Sequence, residues 1–279
     1  MSKKPETENL AVFCDFENVA IGVRDARHAQ FDIRKVLERL LLKGSIVVKK
    51  AYCDWERYKE FKAAMHEAAF ELIEIPHVRQ SGKNSADIRM VVDALDLCYT
   101  KAHVDTFVIV SGDSDFSPLV SKLRENNKIV IGVGVKSSSS DLLIANCDEF
   151  IYYDDLVRKQ QPRKRPVRKP PAARGSAAQA KEPKEPKEEK DAEDRTQAAL
   201  DLIMETLEAL AEERGAEEKI WGSMVKQTLK RRRPGFNESY YGFRSFNRLL
   251  EEAAVRGLIN LERDEKSGGY IIRNFHPED

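Results

Sequence analysis

The run Phe107-Val108-Ile109-Val110 is apolar at every position, and Ile129-Val130-Ile131 repeats the pattern. A β-strand turns alternate side chains to opposite faces, so a strand apolar throughout has to be covered on both. Similar short runs recur, and strands are expected at Leu10–Asp15, Ser45–Cys53, Phe70–Pro76, Thr106–Ser111, Lys128–Val135 and Glu149–Tyr153. Between them, Ile33–Leu42, Glu56–Ala69, Ser85–Lys101, Phe116–Asn126 and Ser140–Ala145 place apolar residues at helical spacing. Alternation of this kind predicts an α/β fold: a central parallel sheet with helices on both faces, a three-layer α/β/α sandwich joined by right-handed crossovers.

The 279 residues are more than one such domain fills. After Val157 the composition changes. RKQQPRKRPVRKPPAAR, from Arg158 to Arg174, holds no acid, and the Lys-Glu-Pro repeats that follow are too polar for a core and too Pro-rich for a helix. Residues 157–194 are therefore expected to be a disordered basic linker between a domain at 8–156 and another at 195–275. In the latter, helices are expected from about Thr196 to Gly215, Trp221 to Arg232 and Phe243 to Arg256, followed by a hairpin from Leu258–Leu261 to Tyr270–Ile272. That order predicts a winged helix-turn-helix.

Bulk charge selects no partner, because 47 basic residues balance 47 acidic ones. Cys14, Cys53, Cys98 and Cys147 stand singly in apolar surroundings, the pattern of reduced core thiols and not of zinc ligands or disulfides. The N-terminal residues lack an apolar h-region, and no apolar run approaches the ~18 residues of a membrane span, so a soluble, cytoplasmic protein without a membrane partner is expected.

Chemistry concentrates at strand ends. Asp15 closes the first strand with Asn18 just beyond it, Asp113 and Asp115 follow the Phe107 strand, and Asp87 opens the Ser85 helix. In open α/β sheets ligands bind at that lip. Acids gathered there repel one another and raise each other's pKa unless a cation is present. If the target is a phosphodiester the need is clear: Mg²⁺ takes one or two carboxylates plus waters and phosphate oxygens, and can polarise the phosphoryl oxygen and activate a bound water. Asn18 adds an amide without charge, and Lys83, between Gly82 and Asn84, is placed to meet a backbone phosphate. Helix capping competes for the same residues: Asp113 or Ser114 suits a cap, Asp87 is a first-turn acid with Asn84 as its cap, and Asp141 reads as a cap of its own helix. Asp93 falls about 240° around the helix from Asp87 and is expected outside the site. The acidic motifs supply no suitably placed His, Cys or Lys, which makes a metal-bound water the natural nucleophile.

Asp15-Phe16-Glu17-Asn18, Ser85-Ala86-Asp87 followed by Met90-Val91-Val92-Asp93-Ala94-Leu95, and Val110-Ser111-Gly112-Asp113-Ser114-Asp115-Phe116 resemble, in that order, the NYN domain family of the PIN-like nuclease superfamily, in its LabA-like bacterial branch. The resemblance covers about Leu10 to Asp155. It implies a PIN-like Rossmannoid fold and an Mg²⁺- or Mn²⁺-dependent endoribonuclease, with Asp15, Asp87, Asp113 and Asp115 at the metal and Asn18 beside them. The run Lys83-Asn84-Ser85-Ala86-Asp87 departs from the Lys-Gly-Val-Asp type of many relatives, which touches the role of Lys83 more than that of Asp87.

In the C-terminal part, Lys230, Arg231, Arg232 and Arg233 close the second helix and Arg244 is assigned to the third. Such clusters bind phosphate, and the interleaved Phe236, Tyr240, Tyr241, Phe243 and Phe246 offer either stacking faces or core. Pro234-Gly235-Phe236, Tyr241-Gly242-Phe243-Arg244-Ser245-Phe246 and Gly257-Leu258-Ile259 resemble the LOTUS (OST-HTH) domain over about Thr196 to Arg273. That resemblance implies a winged helix binding RNA or an RNA helicase. The leading expectation is thus a metal-dependent ribonuclease with a recruiting tail, DNA not being excluded as a substrate. Its rivals are a non-catalytic RNA-binding regulatory scaffold and, from the Asp15/Glu17 spacing, a phosphatase.

Overall fold

A computed structural model describes residues 8–28, 30–75, 85–158, 186–214, 219–264 and 268–275. Two compact units divide the chain: Met1–Val157 with Lys226–Phe236, and Arg158–Val225 with Asn237–Asp279.

Six strands build the first unit: β1 (Glu8–Asp15), β2 (Gly44–Cys53), β3 (Glu71–Glu74), β4 (Thr106–Val110), β5 (Ile129–Gly134) and β6 (Glu149–Tyr152). All pair in parallel, in the order β3-β2-β1-β4-β5-β6. The chain lays strands outward in one direction from β1, then crosses back and continues in the other from β4. The order therefore reverses between β1 and β4, where the C-terminal ends of two neighbouring strands open a crevice.

Helices α1 (Phe16–Asp25), α2 (Ile33–Leu41), α3 (Lys59–Glu67), α4 (Ser85–Thr100), α5 (Ser117–Glu125), α6 (Asp141–Asn146) and α7 (Tyr153–Val157) alternate with or follow these strands. The apolar strands serve both faces as their pattern requires. Leu10, Val12, Cys14, Val108 and Val110 pack with Val19, Val23, Val36 and Leu40 on one side. Ala11, Phe13, Phe107 and Ile109 pack with Met90, Ala94, Leu119 and Leu123 on the other. All four cysteines are free and buried, as expected. Among the described residues no helix is long and apolar enough to cross a membrane.

Three elements differ from expectation here, one of them α7, which has no counterpart in the sequence reading. Helix α1 has no counterpart in the sequence reading, because Val19, Ile21, Gly22 and Val23 are weak helix formers. Asp15 starts it by accepting from the Asn18 N–H, and Phe16, Val19, Gly22 and Val23 supply a buried face. Helix α3 begins at Lys59 instead of Glu56, because Asp54–Tyr58 forms a turn with the Arg57 N–H on the Asp54 carbonyl at 3.0 Å.

The C-terminal elements are α8 (Pro186–Arg214), β7 (Ile220–Trp221), α9 (Gly222–Arg232), α10 (Phe246–Val255), β8 (Ile259–Arg263) and β9 (Tyr270–Phe275), with an antiparallel sheet ordered β7-β9-β8. Leu200, Ile203, Leu207, Phe246, Leu249, Leu250, Ile259, Ile271 and Ile272 are buried. The end of the expected linker, 157–194, is corrected: α8 starts at Pro186, a residue that fits a helix's first position because it lacks only an N–H that would be orphaned there. Arg244 is corrected too. It precedes α10, whose N-cap is Ser245, accepting from the Arg248 N–H.

Candidate active site

The crevice between β1 and β4 holds the acids that the strand ends predicted. Asp15 is buried, and its two carboxylate oxygens are both engaged. Oδ1 accepts from the Asn18 N–H at 3.5 Å, and Oδ2 accepts from the Ser111 hydroxyl at 3.0 Å. Ser111 Oγ in turn accepts from the Asp113 N–H at 3.2 Å, so one buried hydroxyl bridges the last residue of β1 to the loop after β4. A second tie runs parallel to it. Asn18 Oδ1 accepts from the Gly112 N–H at 2.9 Å. Asp113 accepts from the Asp115 N–H at 2.9 Å and caps the 3-10 turn Ser114–Phe116, so capping and site placement coexist in one residue.

Asp87 lies in the first turn of α4, half-buried. Burial pushes the Asp15 carboxyl up to about 7, with Asp87 and Asp113 adding to the shift and the Ser111 and Asn18 bonds opposing it. Burial likewise raises Asp87 to about 6, helped by Asp113, Asp115 and Glu17. The fold thus brings Asp15, Asp87, Asp113 and Asp115 within electrostatic reach of one another. Acids driven toward their protonated forms by burial and mutual repulsion form a donor set that a hard cation relieves. Among the described residues no three acids converge as a ready ligating cluster.

Other expected residues fall elsewhere. Lys83 and Asn84 lie outside the described residues. Asp93 is away from the crevice, bound by the Tyr52 hydroxyl at 2.9 Å, Arg89 at 3.1 Å and Lys50 at 3.6 Å. Glu17 is held by Arg57 at 3.1 Å, which commits it to an ion pair in place of a phosphatase acid's role. Asp141 is not the cap of α6; Ser140 is, accepting from the Leu142 N–H at 3.2 Å. Lys230, Arg231 and Arg232 end α9, and Arg231, Arg232, Arg233 and Arg244 are exposed.

Ser111 and Gly112 were not singled out by sequence reasoning, although both belong to the strand-end motif. Gly112 accommodates the loop after β5: a Cβ there would lie 2.4 Å from the Ser138 carbonyl oxygen, and the Gly112 carbonyl accepts from the Ser140 N–H at 2.9 Å. The result is an open crevice lined by Asn18, Gly112, Asp113, Ser114 and Ser137 to Ser140.

Residues 9–154 match the NYN domain, a span that contains the whole of this site. The chain belongs to the NYN domain family. The family's function is nuclease-like and RNA-related. Over 154 residues the chain is 26% identical to a Xenopus tropicalis protein named meiosis regulator and mRNA stability factor 1, covering 55% of this chain and 9% of that protein. It is also 26% identical over 141 residues to an uncharacterised Methanocaldococcus jannaschii protein, covering 50% of this chain and 53% of the relative. The chain therefore spans about half, or far less, of the length of these relatives. A solved Vibrio parahaemolyticus structure of unknown function shares 28% identity at a TM-score of 0.49, covering 56% of this chain and 98% of that one.

Proposed function

We propose that this NYN domain is a metal-dependent endoribonuclease whose C-terminal elements recruit RNA. The observation that carries the reading is the Asp15 carboxyl, buried at the lip of the sheet and pushed up to about 7 with Asp87 and Asp113 beside it. A fold keeps such an arrangement at a ligand crevice at a cost in stability, which points to use. Asp15, Asp87, Asp113 and Asp115 would hold one or two Mg²⁺ or Mn²⁺ ions, which supply Lewis acidity toward phosphate and an activated water. The chain's own contribution is orientation. Ser111 fixes Asp15 against Asp113, and Asn18 fixes the turn that carries Asp113 and Asp115. The name of the Xenopus relative, with its reference to mRNA stability, supports RNA as the substrate.

The element order α8, β7, α9, α10, β8, β9, with β7-β9-β8 antiparallel, supports a LOTUS-like winged helix at about 195–275, with Lys230 to Arg233 and Arg244 as its basic residues. The alternative, a non-catalytic RNA-binding scaffold, draws on the lack of a convergent ligating cluster among the described residues. Purified chain, a labelled RNA and Mg²⁺ or Mn²⁺ separate the two. Cleavage that stops with EDTA and with Asp113→Asn supports the nuclease; cleavage unchanged by Asp113→Asn refutes it.

A further inference from the structure

A lip bearing Asp15, Asp87, Asp113, Asp115 and Glu17 repels the polyanion that the nuclease reading has it cut. A cation is needed at its edge. Arg57 stands there, and the reason is local. In the sheet Asp15 is paired with Tyr52, so the turn Asp54–Tyr58 that follows β2 lies directly beside the end of β1. Arg57 sits in that turn between Trp55 and Tyr58, and both neighbours are fastened. The Trp55 ring is buried 5.0 Å from Phe16, its indole N–H donates to the Ile73 carbonyl at 3.2 Å, and its backbone N–H donates to Glu74 at 3.0 Å. Tyr58 meets Phe16 edge-on at 5.7 Å. Phe16 is the residue after Asp15, so two aromatic anchors fix the Arg57 backbone to the start of the acidic site.

The side chain is also aimed. Arg57 Nη1 donates to Glu17 Oε1 at 3.1 Å, and Glu17 lies close enough to Asp87 to contribute to its shift. Among the described residues Nε and Nη2 make no such bond, which leaves the other edge of the guanidinium fork open. A phosphate matches that fork. The Arg57–Glu17 pair is half-exposed, and pairs of that kind contribute only ~0–1 kcal/mol to stability. The turn is held by its aromatics, so the pair has little structural work.

We propose that Arg57, oriented by Glu17, is a phosphate clamp for the substrate RNA, gripping a backbone phosphate next to the scissile one on the β2 side of the crevice. Glu17 is a positioning residue. The inference rests on the nuclease reading, and its test separates the two.

The full chain carrying Asp113→Asn binds without cutting, so affinity for a short fluorescein-labelled oligoribonucleotide is followed by anisotropy over a salt series in Mg²⁺. Adding Arg57→Ala is expected to weaken binding about five- to tenfold and to lower the slope of log K against log salt by about 1. Arg57→Lys keeps the slope and loses part of the affinity, and Glu17→Ala loses affinity with the slope retained. Lys101→Ala, at the opposite end of the sheet, changes neither. In the cleaving chain Arg57→Ala raises KM and spares kcat. Unchanged affinity and slope in Arg57→Ala, or an equal loss in Lys101→Ala, would overturn the clamp. A chain that never cleaves yet shows the Arg57 effect keeps the clamp and loses the nuclease reading.

Discussion

Replacing Asp15 with asparagine should stabilise the metal-free protein at alkaline pH. Asp15 titrates at about 7 in the fold against 3.8 for an unperturbed carboxyl. Because the folded pKa is the higher one, the folded state holds the proton more tightly. The contribution of Asp15 to stability is full below about pH 4 and is lost as pH rises through about 7. Above that, the ionised group costs the fold on the order of 4 kcal/mol. Asp15→Asn removes this cost. It also weakens the bond with Ser111, a charge-assisted bond of about 1.5–3 kcal/mol, so the net gain is roughly 1–2 kcal/mol. For a domain of this size that is an increase in Tm of roughly 2–8 °C. Thermal unfolding followed by circular dichroism in EDTA measures it. The increase should be present at pH 8 and largely absent at pH 5, where wild-type Asp15 is already protonated in the fold. Equal or lower stability of Asp15→Asn at both pH values would refute the assignment of Asp15 as a buried, electrostatically burdened acid.

Mg²⁺ should bind progressively more weakly as pH falls from about 8 to 6, since protons compete for Asp15 and Asp87, raised to about 7 and about 6. Calorimetric titration at several pH values reads this, and affinity flat across that window would contradict it. Gly112→Ala should lower stability by about 1–3 kcal/mol, because the new methyl meets the Ser138 backbone carbonyl, which cannot rotate away. Gly22→Ala meets the Ser138 hydroxyl instead, a group that turns on one bond, and should cost less. Urea midpoints of the two variants give the comparison.

The sheet was legible because β-branched runs bounded by polar turns carry their own period, and Phe107–Val110 could only be a strand covered on both faces. The acids were legible because Asp15 and Asp113 stand where such strands stop. What escaped was set by long-range contacts. The partner of Ser111 lies 96 residues away and that of Arg57 lies 40 away, spacings with no local signature. Helix α1 escaped for the related reason that packing against the core, not propensity, holds it.

Because Ser111 completes the hydrogen bonding of Asp15, the site has an order of assembly as well as a shape. On a ribosome Asp15, β2 and β3 emerge well before β4, and pairing of Leu10–Cys14 with Thr106–Val110 must await the fourth of the six strands. Contacts of such sequence separation form late. A nascent or truncated chain that stops short of β4 carries Asp15 and Asp87 without Ser111, Asp113 and Asp115, so the lip stays unassembled until β4 and its loop are made.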